Sequence, residues 1–304
     1  MTDQTTAAPP SIPLADSREA MVGRTPVRRA LPQRTRRTVG AWCFADHIGP
    51  VGVTDPDDAG IGPHPHIGLQ TVTWLLDGEL RHVDSVGSDQ VIVPGQLNLM
   101  TAGDGVAHAE EWRGGQGRYH GIQLWVAQPE STRHTAPAFE HHAALPQVDL
   151  DHATATVLVG ALGGARSGAR RDTDHFGAEL RFRPGTTSVA VDRAHEHALV
   201  VLDGRVHIEG TEHVAGATVE PGKLAYLEPG CDEIAFTIVD HAIAMLLGGA
   251  LFEARVSMWW NFVGRDHDEI TAAQRDWNRH DTDRFGDLSS SLARIAAPDV
   301  PWRT

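Results

Sequence analysis

The chain has 304 residues, 41% of them hydrophobic and 22% charged, enough for a buried core in two domains or one large one. The net charge of −14 makes nucleic-acid binding unfavourable, and no apolar run reaches the ~18 residues of a membrane span. No secretory leader is recognisable, and Cys43 and Cys231 lie far apart without CxxC spacing, so we expect a cytoplasmic protein with no disulfide framework.

The first segments of the chain are polar and irregular. Residues 1–22, rich in Thr, Ala and Pro, are predicted to form a disordered tail. A group of arginines follows, comprising Arg24, Arg28, Arg29, Arg34, Arg36 and Arg37. We interpret it as a solvated strand or loop face, with anion binding as the alternative, because no aromatic interleaving accompanies it. Residues 42–44 then predict a buried strand, and residues 49–63 a loop rich in Gly, Pro and Asp.

Strand signals dominate the next hundred residues. Residues 71–76 are strongly strand-like, and Asp77-Gly78 after them is the dipeptide favoured in tight hairpins. Residues 91–100 predict two strands broken at Pro94-Gly95, and residues 119–126 predict a further strand. Many short strands with turn signals between them are typical of a barrel or sandwich.

The second half of the chain repeats the first. Gly204 lies 126 residues after Gly78, and Pro221 lies 127 residues after Pro94, each within a matching local motif. A nearly constant offset indicates a duplicated β-domain. We therefore predict a first barrel over 23–137, a linker over 138–155, a second barrel over 156–262, and a C-terminal helix and tail over 263–304, the helix opening at Asp266.

Two pairs of potential metal ligands occur in the first repeat. His64 and His66 are two residues apart, as are His108 and Glu110 about forty residues later. Alternate residues of a strand share a face, with Cα atoms roughly 6.5–7 Å apart. Two such pairs on neighbouring strands would bring three imidazoles and one carboxylate to one point, which suits a mononuclear first-row metal ion. Glu111 should point to the opposite face.

The duplication predicts which residues of the second repeat are equivalent to the potential ligands of the first. The offsets place Ala190, Asp192, Ala235 and Thr237 at the ligand positions, so we predict a second barrel without a metal site. His195 and His197 are out of register, and we interpret them as surface or loop histidines. Because the chain has 18 histidines, an isolated histidine is weak evidence for a metal site. We therefore assign no role to five further histidines: His82, His120, His134, His141 and His142.

These motifs resemble the pirin family of the cupin superfamily. The matching stretches are residues 63–69, 71–74, 76–78, 94–95, 100–103, 105–110 and 120–126, with weaker similarity through the second barrel to residues 259–262 and the terminal helix. The resemblance implies an all-β fold of two tandem cupin (jelly-roll) barrels.

In pirins the N-terminal barrel holds one metal ion, usually iron, on three histidines and a glutamate. The resemblance places these ligands at His64, His66, His108 and Glu110. The expected cofactor is one divalent ion, Fe(II) foremost, with Mn, Co, Ni, Cu and Zn also compatible. Many cupins place a ligating glutamate after His-x-His, where this chain has Gln70, which leaves Glu110 as the expected carboxylate ligand.

The resemblance also implies quercetin 2,3-dioxygenase activity, with a flavonol-like aromatic substrate and O₂. Glu110 would then be the catalytic base that accepts the substrate hydroxyl proton, and oxygen addition would split the heterocycle and release carbon monoxide. Two alternatives stay open: a metal- or redox-sensing regulatory protein that binds a transcription factor or metabolic enzyme, and a non-oxidative metal cupin such as an isomerase.

Overall fold

The computed structural model describes residues 11–53, 60–113 and 117–302. Strands form nearly all of the regular structure of this part of the chain. Its first twelve strands are β1 (Leu14–Asp16), β2 (Arg18–Val22), β3 (Thr25–Leu31), β4 (Trp42–Val53), β5 (Gly60–His66), β6 (Leu69–Asp77), β7 (Leu80–Asp84), β8 (Asp89–Ile92), β9 (Leu97–Thr101), β10 (Val106–Trp112), β11 (Gly117–Ala127) and β12 (Ala138–His142).

The second half contains the remaining strands and both helices. They are β13 (Gln147–Leu150), β14 (Ala153–Val159), β15 (Ala161–Leu162), β16 (Ala165–Arg166), β17 (His175–Phe182), β18 (Gly185–Ala190), β19 (Glu196–Asp203), β20 (Val206–Ile208), β21 (Ala217–Val219), β22 (Lys223–Leu227), β23 (Glu233–Ile238), β24 (Ala242–Gly249), β25 (Ser257–Trp259), β26 (Phe262–Gly264), α1 (His267–Asn278) and α2 (Thr282–Phe285).

Two barrels of the same topology follow one another along the chain. In the first barrel, a sheet of order β12-β9-β6-β11-β4-β3-β2 accompanies a four-stranded sheet of order β5-β10-β7-β8. In the second barrel, the sheets have the orders β1-β22-β19-β24-β17-β14-β13 and β18-β23-β20-β21. Each strand of one order has its counterpart in the other. The prediction of two tandem jelly-roll barrels with a short C-terminal helix is confirmed.

The two seven-stranded sheets pack against each other and join the barrels into one core. Trp42, Trp74, Val200 and Met245 lie fully buried in a shared apolar cluster. Each tryptophan also donates its indole N–H across the interface, Trp42 to a main-chain carbonyl of β17 at 3.0 Å and Trp74 to Glu179 at 2.7 Å. Buried indoles with satisfied N–H groups favour a single packing arrangement of the two sheets.

Segments at both ends of the chain pack on the barrel that is distant in sequence. Strand β1 pairs with β22 of the second barrel, with Leu14 opposite Ala225. The segment after the second barrel returns to the first, where Ile295 donates its N–H to the Pro63 carbonyl at 2.9 Å. The expectation of disorder over residues 1–22 is therefore wrong from Leu14 to Val22, because β1 and β2 lie there. Residues 1–10 lie outside the described part.

The tight hairpin expected at Asp77-Gly78 does not form. Strand β6 pairs with β9 and β11, whereas β7 pairs with β8 and β10 of the other sheet. The dipeptide therefore carries the chain from one sheet to the other. The loop predicted over 49–63 is shorter than expected, because β4 extends to Val53 and β5 begins at Gly60, and residues 54–59 lie outside the described residues.

The predicted linker and helix also have counterparts in the structure. Residues 138–155 contain β12, which completes a sheet of the first barrel, and β13, which completes a sheet of the second. The borders at 137 and 155 stay predictions. Helix α1 begins after Asp266, whose carboxylate accepts the N–H of Glu269 at 2.9 Å, as the sequence predicted.

Candidate metal centre

Two adjacent strands of the small sheet of the first barrel carry the predicted ligands. His64 and His66 lie on β5, and His108 and Glu110 lie on β10. The strands are antiparallel, with His108 opposite His64, and a register shift follows between His108 and Glu110. Because alternate residues share a face, these side chains point into the barrel.

The three imidazoles converge. The His66 and His108 Nε2 atoms lie 3.1 Å apart, and the His64 and His108 ring centroids are 4.3 Å apart. One potential ligand atom from each of His64, His66 and His108 lies within 4.8 Å of the other two, and all three side chains are buried. The structure thus brings together three of the four predicted ligands. Nitrogens about 2.1 Å from one ion would be about 3 Å apart at adjacent coordination positions, which matches the Nε2 separation.

Every ring Nδ1 atom has a partner away from the point of convergence. The His64 Nδ1 donates to the Gly62 carbonyl at 2.8 Å, and the His66 Nδ1 donates to the Asn261 carbonyl at 3.0 Å. The His108 Nδ1 lies 3.3 Å from the His82 Nδ1. These partners assign the proton to Nδ1 and leave the Nε2 lone pairs for a cation, so the donor set fits a divalent ion.

The sequence analysis assigned no role to His82, which the structure places beside the cluster, next to His108. The His82 Nε2 lies 3.0 Å from an oxygen of Asp84, whose other oxygen accepts the N–H groups of Val86 and Ser88 at 3.0 and 2.9 Å. His82 can therefore accept the His108 Nδ1 proton while it donates its own to Asp84. The sequence signal was the His82-x-Asp84 spacing, since alternate residues of β7 share the interior face.

Burial sets the protonation of the cluster. It lowers the pKa of His64 to about 4, and it lowers the pKa of His66 and His108 well below the ordinary value, with neighbouring histidines adding to the effect in both. All three imidazoles are therefore neutral near pH 7, which is the form that binds metal ions.

Glu110 lies in the same interior but outside the histidine cluster. Its carboxylate is not among the ligand atoms that lie within 4.8 Å of one another, and the Thr73 hydroxyl lies 3.5 Å from its Oε1. Burial raises the pKa of Glu110. Glu111 points outward, as expected, where it accepts hydrogen bonds from Arg81 at 2.8 Å and Ser290 at 2.7 Å. The role of Glu110 as fourth ligand stays a prediction.

A cavity of about 600 Å³ opens above the histidines. Its lining includes His64, His66, His108, Glu110, Phe44, Asp46, Tyr119, Gln123, Trp125 and Trp260. Phe44 and Trp125 are stacked with centroids 3.9 Å apart, and Arg29 lies over the Phe44 ring while it pairs with Asp46. Arg29 thus has a defined place at the cavity wall, whereas the sequence suggested a solvated face for the arginine group.

The interior of the second barrel is apolar at the equivalent positions. In each barrel the equivalent residues occupy the same place in the ladders, and the pairs are His64 and Val189, His82 and Ile208, His108 and Ile234, and Glu110 and Phe236. Of the residues that the sequence offset had selected, Ala190, Ala235 and Thr237 are one position away and lie on the outer face of β18 and β23, and Asp192 is exposed in the loop after β18. A one-residue error reverses the face because the side-chain period of a strand is 2.

One of two histidines of the second barrel differs from expectation. His195 and His197 were interpreted as surface or loop residues; His195 does lie in the loop before β19, although it is buried, whereas His197 is buried within β19. His195 pairs with Asp174 at 3.1 Å, whereas neither His197 ring nitrogen has a partner among the described residues. Of the histidines left without a role, His120 is also buried and lies 2.9 Å from His47, Nε2 to Nε2.

Two tandem jelly-roll barrels, with a three-histidine cluster inside the first, define a two-domain cupin whose cluster can hold a metal ion. The Pirin family model matches residues 24–126, and the model of the Pirin C-terminal cupin domain matches residues 178–285. The chain belongs to the pirin family.

Individual relatives agree with this assignment. A Pseudomonas aeruginosa protein with a provisional quercetin 2,3-dioxygenase name is 44% identical over 283 residues, covering 92% of this chain and 88% of its own. A crystal structure named quercetin 2,3-dioxygenase from Acinetobacter baumannii has a TM-score of 0.90 at 38% identity and covers 97% of both chains. The Escherichia coli pirin YhhW in complex with nickel(II) shares the fold, with a TM-score of 0.61 at 16% identity over 79% of this chain and 99% of its own. In the described part of this chain, no helix is both long and apolar enough to span a membrane.

Proposed function

We propose that this protein is a metal-dependent dioxygenase that opens a flavonol-like substrate with O₂, as the names of its relatives suggest. The observation that carries the proposal is the convergence of three buried, Nδ1-anchored imidazoles at a cavity with aromatic walls. The cavity volume, about 600 Å³, falls within the roughly 300–1,000 Å³ of pockets that bind drug-sized ligands.

The donor set suits a first-row divalent ion held by His64, His66 and His108, with Glu110 as the fourth ligand. We propose Fe(II), and Mn, Co, Ni, Cu and Zn accept the same types of ligand. The Escherichia coli pirin YhhW was solved in complex with nickel(II). A bound ion would supply Lewis acidity toward an aromatic hydroxyl and open coordination positions for the reaction with O₂.

The side chains around the ligands would orient the substrate and move its proton. Glu110 is buried and has a raised pKa, so its carboxylate could accept the proton of a substrate hydroxyl. The Thr73 hydroxyl donates to the Gln123 Oε1 at 3.0 Å, which leaves the Gln123 amide N–H groups for an acceptor on the substrate. Phe44 and Trp125 provide an apolar wall for a planar ring. The free thiols of Cys43 and Cys231 agree with a cytoplasmic location.

Oxygen uptake tests the proposal. Protein loaded anaerobically with Fe(II) and mixed with quercetin and O₂ should consume one O₂ and release one carbon monoxide per flavonol opened. Glu110→Gln at the same metal content should lose at least about 100-fold in turnover, in the range of general-base effects. Glu111→Gln is the matched control, because this neighbour points away from the cavity. Full turnover by Glu110→Gln would refute the base assignment, and substrate conversion without O₂ uptake would instead indicate an isomerase.

A further inference from the structure

A two-residue turn beyond the second barrel reaches the cavity of the first. Strands β25 and β26 pair with Trp259 opposite Phe262, which leaves Trp260 and Asn261 as the turn. Both turn residues line the same cavity as the histidine cluster. A segment about 150 residues after His108 therefore forms part of the wall of the candidate site.

The backbone of Trp260 has an unusual conformation. Its φ is 53°, in the left-handed region that glycine or asparagine adopts in such turns and that a bulky aromatic residue rarely adopts. Such strain persists where the surrounding structure imposes it, and it is concentrated at ligand-binding sites. The position would favour glycine for its backbone alone, so the presence of tryptophan points to a role for the indole.

Contacts with the first barrel hold the turn in place. Phe262 forms a bridge with Ile67, and the Val263 N–H donates to the Ile67 carbonyl at 3.2 Å. A Cβ atom on Gly68 would lie 2.2 Å from the Val263 carbonyl oxygen, so only glycine there permits this approach. The Trp260 ring packs edge-on against the buried Phe262 ring, with centroids 5.5 Å apart. The turn is thus anchored at the residues that directly follow His66.

The turn also orients one of the histidines. The Asn261 main-chain carbonyl accepts the Nδ1 proton of His66 at 3.0 Å, which fixes the tautomer and directs the His66 Nε2 to the cluster. Asn261 therefore contacts a ligand-type histidine, and both turn residues form part of the cavity wall. A displacement of the Trp260 side chain would alter the wall, while the carbonyl contact depends on the main chain alone.

We propose that Trp260 is a specificity-determining residue: its indole contacts an aromatic ring of the compound that binds in the cavity, and the strained turn holds the indole there. This inference rests on the proposed function in assuming an aromatic ligand at the histidine-bound ion. It adds that selection for the aromatic ring comes from the segment after the second barrel.

Two small chelators that differ only by a ring test the inference without turnover. Benzohydroxamate and acetohydroxamate carry the same metal-binding group, so the ratio of their dissociation constants reports contact with the ring. The ratio would be measured by absorption titration of the cobalt(II)-loaded protein, after elemental analysis of every variant. The variants are Trp260→Leu, Trp260→Phe and, as the matched control, Trp259→Leu, since Trp259 packs against Trp302 outside the cavity lining.

We expect the unmodified protein to bind benzohydroxamate more tightly than acetohydroxamate. Trp260→Leu should reduce this preference roughly 3- to 10-fold, the range expected for the loss of one aromatic contact. Trp260→Phe should retain most of the preference, and Trp259→Leu should leave it within about twofold. If Trp260→Leu loses the metal ion, Trp260→Met takes its place as a second side chain without a ring: a preference reduced roughly 3- to 10-fold supports the proposal, and an unchanged preference overturns it.

The remaining outcomes separate this inference from the dioxygenase proposal. An unchanged ratio in Trp260→Leu, or an equal loss in Trp259→Leu, overturns the role of Trp260. Failure of the unmodified protein to bind cobalt or to prefer the aromatic chelator also overturns it. A preference that depends on Trp260, together with no O₂ uptake on quercetin, supports the specificity role and refutes the dioxygenase proposal.

Discussion

The two barrels have the same order of strands and differ in the side chains that fill them. In the first, Thr73 on β6 faces Glu110, which lines the cavity; in the second, Leu199 on β19 belongs to a continuous apolar core that includes Phe236. The residues at the inward positions of equivalent strands therefore determine whether the interior of a barrel contains a polar cavity or a packed apolar core. Topology provides the positions, and side-chain chemistry determines their use.

The two barrel interiors also differ in how much hydrophobic burial they contribute to stability. The second barrel buries Val189, Ile234 and Phe236 where the first buries polar groups, so its interior contributes hydrophobic stabilisation that the first barrel lacks. Shared packing between the large sheets connects the two, and the segment after the second barrel supplies the Asn261 carbonyl to His66. The second barrel and its extension thus pack against a first barrel whose interior contains the histidine cluster and a cavity.

The strongest test of this comparison removes one histidine from the first barrel. His108→Ala should weaken metal binding by more than about 100-fold, beyond the effect of losing an outer contact, because one of the three convergent nitrogens disappears. Elemental analysis after dialysis and titration with Co(II) would measure the loss. Circular dichroism checks that the fold persists, and full metal content in the variant would refute the site.

The reciprocal change removes an apolar side chain at the equivalent depth of the second barrel. Phe236 is fully buried, so Phe236→Ala should lower the free energy of unfolding by about 3–5 kcal/mol through lost burial and a residual cavity. Urea denaturation measures this change. Metal content per folded molecule should stay as in the unmodified protein, and a loss of metal from the folded variant would contradict the division of roles.

A third change affects the first barrel without touching the three histidines of the cluster. His82→Phe keeps a ring against Phe139, on which His82 stacks at 4.5 Å, and removes the acceptor of the His108 Nδ1 proton. We expect metal affinity to fall about 10- to 100-fold, as for other contacts that orient a ligand. Competition with a chelator of known affinity would measure it, with Ile208→Val at the equivalent position of the second barrel as control. Unchanged affinity in His82→Phe would show that His108 needs no orienting partner.

The smallest expected effect concerns His197 in the second barrel. Burial lowers its pKa to about 4 from 6.5, so the unfolded chain takes up the proton first. Above about pH 6.5 His197 is neutral in both the folded and the unfolded chain, so its contribution to the free energy of unfolding does not change with pH. Below that value the contribution falls as the pH drops toward 4, because the unfolded chain binds the proton more tightly. His197→Leu should stabilise the metal-free protein by about 1 kcal/mol at pH 7.5 and reduce the decrease between pH 7.5 and 5. Urea denaturation at the two pH values measures both, and an unchanged decrease would exclude His197 as a contributor.

The local pattern of the sequence was enough to predict the strands, the duplication and three converging histidines. Period 2 on a strand places His64 with His66, and β-sheet pairing within one repeat brings His108 beside them, so a short-range rule selects the three histidines whose rings converge. The cap of α1 at Asp266 is equally local. Such features depend on residues close in the chain or on a repeated motif, and a single sequence contains both.

The contacts that complete the site depended on tertiary structure. His82 meets His108 across two paired strands, and Asn261 reaches His66 from 195 residues away through a turn that only the packing of the C-terminal segment places. The one-residue shift between the barrels has the same origin, because it arises in the ladder register and not in the spacing of glycines and prolines. A sequence specifies which side chains share a face, whereas the partner across a ladder or beyond a turn is determined by how distant segments pack.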